Sequence, residues 1–194
     1  HGTPLFCNWA QYAPEGSNPD QVADFVAGQT AAPLNWQHLE RFRELWPRNL
    51  VLKGVMRPDD AQRAQTRGVD GLIISNHGGR QLDRAPSSLE VLPSIHRAVG
   101  DSMELMLDSG VRRGVDAIIA RCLGARMVFV GRATMYGAVA AGLGGAKQAA
   151  GFLRDEIDMN LAQIGCPRFD ELSSEFLLGE DFDDWQRNTR DARS

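Results

Sequence analysis

Residues 69–83 read VDGLIISNHGGRQLD, an apolar run that breaks at once into Asn, His, two glycines and Arg. The apolar part is short and nearly continuous, as expected of a strand buried on both faces of a parallel sheet. The polar part needs another explanation. A turn calls for Asn and Gly, but it needs neither His77 nor Arg80, a titratable base and a fixed cation three residues apart.

Outward from this stretch the same pattern repeats. Upstream, LNWQHLERFRELW (34–46) sets Leu34, Trp36, Leu39, Phe42 and Leu45 at helical spacing, with Asn35 placed as the N-cap. NLVLKGV (49–55) reads as a strand, and RPDDAQRAQTRG (57–68) as a helix with Pro58 at its start and Gly68 as its stop. Downstream, SSLEVLPSIHRAVG (87–100) predicts a helix that Pro93 enters in its first turns or kinks. MELMLDSG (103–110), RRGVDAIIARCLGA (112–125) and RMVFVG (126–131) read as strand, helix and strand. AAGFLRDEIDMNLAQIG (149–165) is a strongly amphipathic helix ended by Gly165 and Pro167.

Four strands, each followed by a helix, imply an α/β fold with parallel strands joined by crossovers. The two candidate architectures are a (β/α)8 TIM barrel and a doubly wound open sheet. Four units make half a barrel, since a whole one takes about 250 residues. The residues after the second, third and fourth strands are polar or glycine-rich, which suits a site at one rim. Barrel active sites sit at the C-terminal rim. A half-barrel is the first reading and an open sheet the second.

Composition narrows the function. The chain has 194 residues, 43% hydrophobic and 24% charged, with a net charge of −4 and a pI near 5.6. These are values of a soluble globular protein, and the scattered positive residues give no footprint for nucleic acid. Cys7, Cys122 and Cys166 are too far apart for a disulfide framework or a metal site, so reduced thiols and no metal are expected. No apolar run approaches the roughly 20 residues that span a bilayer, and no signal peptide is visible. The opening HGTPLFCNW, without an initiator Met, leads us to expect a piece of something longer.

Each strand end carries chemistry. Lys53 closes the first strand and shares a face with Val51 and Val55. It is either paired with a structural carboxylate from a neighbouring strand or held against an electron-rich ligand, and position favours neither. In DSGVRRG (108–114), Gly110 lets the backbone approach a ligand, the following helix offers free N–H groups, and Arg112 adds a forked cation. VGR (130–132) repeats the device with Gly131 and Arg132. Each alone is a turn with a solvated arginine; together, in consecutive units, they point to a phosphate site of the kind barrels build after strands seven and eight. The dinucleotide fingerprint G-x-G-x-x-G is absent, which counts against a nicotinamide cofactor. A lone histidine is more often packed or capping. Here Gly78 and Gly79 leave room for a ligand, and Arg80 can grip a carboxylate. That pairing suggests proton abstraction from a substrate bearing both a carboxylate and a hydroxylated or acidic carbon.

LVLKGV (50–55), SNHGGRQLD (75–83), LDSGVRRG (107–114) and VFVGRATMYG (128–137), in this order, resemble the flavin-dependent 2-hydroxy acid dehydrogenase and oxidase family. The resemblance runs from about residue 33 to residue 166. Within the family, GRATMYG (131–137) and LAQIGCP (161–167) are most similar to the membrane-associated mandelate dehydrogenases.

The resemblance implies FMN as cofactor and a (β/α)8 barrel of which this chain holds strands five to eight. It implies His77 as the active-site base and Arg80 as the carboxylate arginine, so that both bind substrate. Lys53 would face the flavin N1 and C2 carbonyl, with Ser75 beside the flavin. Asp108, Ser109, Gly110, Val111 and Arg112 would form the ribityl and phosphate loop, completed by Gly131 and Arg132. The reaction implied is oxidation of an (S)-2-hydroxy acid to the 2-oxo acid.

The same resemblance divides the chain into a variable loop after the fourth strand (1–33), the barrel half with its closing helix (34–166) and a tail (167–194). The loop carries the membrane-binding region in the mandelate enzymes. Here it lacks a cationic amphipathic face and reads as a lid or partner contact. Expected partners are a small 2-hydroxy acid, the N-terminal half of the barrel and further copies of the complete enzyme. The expected location is cytoplasmic, or peripheral to the inner membrane. Arg121 and Cys122 depart from the family pattern. Two other readings stay open: a catalytically inert half-barrel that needs its N-terminal half, and a phosphate-binding barrel enzyme without redox chemistry.

Overall fold

The structure, a computed structural model, describes residues 2–30 and 34–177. Residues 31–33 of the expected loop and 178–194 of the expected tail lie outside the described residues. Two units divide the chain, His1–Leu45 and Trp46–Ser194.

The first unit holds α1 (Cys7–Ala10), α2 (Pro19–Thr30) and α3 (Trp36–Leu45). Asn18 and Gln21 cap α2 reciprocally, each side-chain oxygen accepting the other's backbone N–H at 2.9 Å. Asn35 caps α3 as its spacing predicts, its Oδ1 accepting the His38 N–H at 3.0 Å. Trp9 packs edge-on against Tyr12 and Phe25, with ring centroids 6.2 and 6.4 Å apart.

The second unit alternates β1 (Val51–Lys53), α4 (Pro58–Gln65), β2 (Gly71–Ile74), α5 (Ser88–Val99), β3 (Glu104–Leu107), α6 (Gly114–Cys122), β4 (Met127–Val128) and α7 (Arg132–Gln163). The strands form one parallel sheet in the order β1-β2-β3-β4. Register sorts their side chains. Leu52, Leu72 and Leu105 form one row, Ile74, Leu107 and Val128 the next on the same face. Leu72, Ile74, Leu105 and Leu107 are buried there, with Ala61, Ala64, Leu92 and Ile95 from α4 and α5 equally inaccessible. Complete burial of a large aliphatic chain contributes about 1.5–3 kcal/mol. Lys53, Ile73, Met106 and Met127 make a row on the opposite face.

That opposite face corrects the expectation of burial on both sides. Val51, Met127 and Phe129 keep 41%, 53% and 40% of their surface exposed. An apolar run reports that a strand can be covered twice, and the helices of this unit cover it once.

α5 starts on Ser87, whose Oγ accepts the Glu90 N–H at 3.2 Å, and runs through Pro93 without ending. α7 differs most from expectation, since only 149–165 was read as helix. It begins at Arg132 and breaks at Ala141 and Gly142. Its two parts touch through the Gly137 and Gly145 backbones. The glycines that lower helical propensity therefore serve a close helix-to-helix approach.

Gly114 plays the same part between α6 and α7, where an added Cβ would meet the Ile157 nitrogen at 2.6 Å. Beyond it Ile118, Cys122, Leu161, Cys166 and Leu172 form one apolar cluster. This accounts for both departures from the family pattern. Cys122 is a buried packing residue whose thiol burial pushes up in pKa, and Arg121 donates to the Asp170 carbonyl at 2.8 Å.

Candidate active site

All four strands end at one cleft of about 760 Å³. Lys53 enters from β1, His77 and Arg80 from the loop after β2, residues 108–112 from the loop after β3, and Gly131 and Arg132 from the start of α7. Of the residues expected to bind substrate or cofactor, all except Ser75 line it, while Gly79, beside Gly78, does not. Ser75 lies directly behind, 1% exposed.

Ser75 is the centre of a fixed network. Its Oγ accepts the Lys53 ammonium at 2.8 Å and the His77 N–H at 3.1 Å. Asp108 completes the set by pairing with Lys53 Nζ at 3.1 Å and accepting the Ser109 hydroxyl at 2.7 Å. Burial alone would raise the Asp108 pKa. The hydrogen bonds from Ser75, Ser109 and Lys53, with the lysine's charge, outweigh it and hold the carboxyl below its ordinary value. Lys53 is thus paired with a carboxylate from two strands away, not from the neighbouring strand, and it also lines the cleft.

The loop after β2 is held residue by residue. His77, Gly78 and Gly79 have φ of 56°, 68° and 74°, and Ser109 across the cleft has 77°. A left-handed backbone costs a non-glycine residue about 1–2 kcal/mol, so such a loop persists only where its surroundings impose it. The Gly78 N–H donates to Ser109 Oγ at 2.9 Å, and the Gly78 carbonyl accepts Arg132 Nη2 at 3.0 Å. The Gly79 N–H donates to Asn76 Oδ1 at 3.1 Å. Gly54 gives the His77 ring its place, since a Cβ there would come within 3.0 Å of the His77 Cε1. Asn76 was not singled out in the sequence. An Asn ahead of two glycines reads as an ordinary turn, and only its position before His77 could have marked it.

One expectation fails at the start of α6, whose amides were expected to be free. Asp116 Oδ2 accepts the N–H groups of both Arg112 and Arg113 at 2.9 Å, and Glu156 Oε2 accepts that of Gly114 at 2.6 Å. Carboxylates of the chain itself fill the helix N-terminus, the place where an anion is most favourable. α7 opens without a side-chain cap at Gly131. The guanidiniums of Arg80 and Arg112 have no carboxylate partner among the described residues, whereas Arg113, Arg126, Arg154 and Arg168 are each paired with one. Among the described residues no group of His, Cys, Asp and Glu could hold a metal ion.

Residues 3–178 match a family described as FMN-dependent dehydrogenase. The chain is 42% identical over 180 residues to (S)-mandelate dehydrogenase of Pseudomonas putida, covering 93% of this chain and 45% of that protein. It is 39% identical over 164 residues to L-lactate oxidase of a Nostoc species, covering 84% and 45%. It is 44% identical over 160 residues to pre-mycofactocin synthase of Mycobacterium tuberculosis, covering 82% and 40%. The crystal structure of the monotopic membrane protein (S)-mandelate dehydrogenase aligns with a TM-score of 0.84 at 42% identity, over 93% of this chain and 47% of that one. The chain thus spans about half the length of these relatives.

Proposed function

The chain belongs to the FMN-dependent dehydrogenase family, and on that premise we propose that it is the C-terminal half of a (β/α)8 flavoenzyme oxidising an (S)-2-hydroxy acid to the 2-oxo acid. Two features support the half-barrel. β1 and β4 are edges of the sheet, and the face opposite the helices leaves Val51, Met127 and Phe129 partly bare. Four further strands would cover both, as an open edge and an apolar face require.

The cleft fits FMN on its own features. A Cβ added to Gly110 or to Gly131 would meet no atom within 4 Å, so backbone is open to a ligand at both loops. Arg132 and the uncapped start of α7 offer a phosphate grip, to which Arg112 adds its side chain. Lys53, oriented by Asp108 and Ser75, supplies a cation from the floor of the same cleft. Bound FMN supplies the acceptor for the two electrons that leave the substrate. Arg80 takes the substrate carboxylate in a fork. His77 accepts a substrate proton on a ring nitrogen.

The observation that carries this reading is the meeting in one cleft of His77, of Arg80, whose guanidinium has no carboxylate partner among the described residues, and of Gly131 and Arg132. Anaerobic addition of (S)- and (R)-2-hydroxy acids to the full-length protein tests it. Its yellow colour should bleach with the (S) acid alone. Colour unchanged by either enantiomer would remove the substrate class, and a protein that binds no flavin would favour a phosphate-binding barrel without redox chemistry. No helix among the described residues is long and apolar enough to cross a membrane.

A further inference from the structure

Asn76 stands immediately before the three left-handed residues of the His77 loop and does not line the cleft. It nevertheless holds that loop from three sides. Its Oδ1 accepts the Gly79 N–H at 3.1 Å, bracing the turn across its open side. Its Nδ2 donates to the Pro86 carbonyl at 3.1 Å, tying the loop to the chain that enters α5. Its own N–H donates to the hydroxyl of Ser88, a fully buried residue, at 3.3 Å. A primary amide is suited to this place because it offers an acceptor and donors on one short stem. Aspartate would lack the donor for Pro86.

We propose that Asn76 is a positioning residue, fixing the loop backbone so that the His77 ring and the Arg80 guanidinium address the same substrate. The inference rests on the assignment of base and carboxylate clamp to those two residues. The remaining peptide of the turn, Gly78, is held by Ser109 and Arg132, which belong to the proposed cofactor end. Removing the Asn76 side chain breaks the bonds to Pro86 and from Gly79 to Oδ1, leaving the main-chain bonds of Asn76 to Gly79 and Ser88; it therefore loosens the substrate end and leaves the cofactor end in place. Displacing catalytic groups by about 1 Å costs about a hundredfold in rate.

The test uses the full-length, flavin-loaded enzyme with Asn76→Ala and Asn76→Asp. Three quantities are read: turnover, affinity of the oxidised enzyme for a 2-oxo acid through the flavin absorbance change, and flavin retention on dilution. In Asn76→Ala, turnover should fall by about tenfold to a hundredfold and oxo-acid affinity should weaken, with flavin retained as in the parent. Asn76→Asp keeps the acceptor for Gly79 and should recover most of the lost affinity. Should Asn76→Ala not fold, Asn76→Leu, which keeps the shape of Asn but has neither acceptor nor donor, should show the same split between substrate and cofactor ends. Turnover and oxo-acid affinity within about twofold of the parent, or losses that only follow flavin release, overturn the proposal. A parallel His77→Gln enzyme that keeps its turnover refutes the base assignment instead, and the two failures are distinct because oxo-acid affinity is read with His77 intact.

Discussion

After β3 the chain runs through Gly110, Val111 and Arg112 into α6; after β4 it runs through Gly131 and Arg132 into α7. Both junctions join a glycine and an arginine to a helix N-terminus, and their electrostatics are opposite. Asp116 and Glu156 fill the first helix end with negative charge, while the second has no side-chain cap. The glycine–arginine pattern thus marks where backbone and cation can meet an anion. The carboxylates that follow decide whether the helix end is available to it. In the proposed phosphate site the α6 junction would supply the Arg112 side chain and the Gly110 opening, and the α7 junction amides as well.

This contrast can be broken by substitution at either side. Arg132→Met should have the largest effect, because charge-assisted hydrogen bonds contribute about 1.5–3 kcal/mol each. Titration of apoenzyme should show FMN affinity lowered by about tenfold to a hundredfold, with riboflavin, which lacks the phosphate, unaffected. Equal losses for both ligands would move the phosphate elsewhere.

Asp116→Ala should do the reverse. Losing the acceptor of the Arg112 and Arg113 amides, which lead into α6, should cost about 1 kcal/mol of stability, seen as a lower thermal midpoint, while FMN affinity holds. Weaker FMN binding without destabilisation would contradict a purely structural carboxylate.

The smallest effect concerns pH. Hydrogen bonds from Arg113 and from the Gly114 amide hold the Glu156 carboxyl below its ordinary value of 4.5. A carboxyl depressed on folding stabilises the folded state above that value, and the contribution disappears as pH falls through the lower folded one. Denaturation midpoints of the parent and Glu156→Gln should therefore differ at neutral pH and converge as pH falls below the ordinary value of 4.5 and through the lower folded one. A gap that persists unchanged in acid would show that the charge of Glu156 is not the source.

Much of this was legible in the chain. Short apolar runs separated by helical spacings give the strand and helix order, and the rim residues from Lys53 to Arg132 follow from their positions after strands. What was not legible depends on partners distant in sequence or on chemistry that imitates a turn. Arg121 finds the Asp170 carbonyl and Glu156 finds Gly114 only when α6 and α7 pack. The start of α7 is hidden because its glycines look like breakers until Gly137 and Gly145 touch. Asp116 is legible as a carboxylate in the first turn of a helix, but its bonds to the Arg112 and Arg113 amides depend on the fold of the junction. Hydrophobic runs also cannot say what will cover them; the partly bare face containing Val51 and Met127 follows from the half-barrel reading and not from the runs themselves.

The proposed chemistry turns on His77, held in a left-handed backbone above Gly54 with Arg80 three residues on. The most direct measurement is turnover of a 2-hydroxy acid by the full-length, flavin-loaded His77→Gln enzyme, alongside its flavin content. The account predicts flavin bound as in the parent and turnover reduced by about 10²- to 10⁴-fold. Turnover within a few-fold of the parent, with flavin in place, would contradict it.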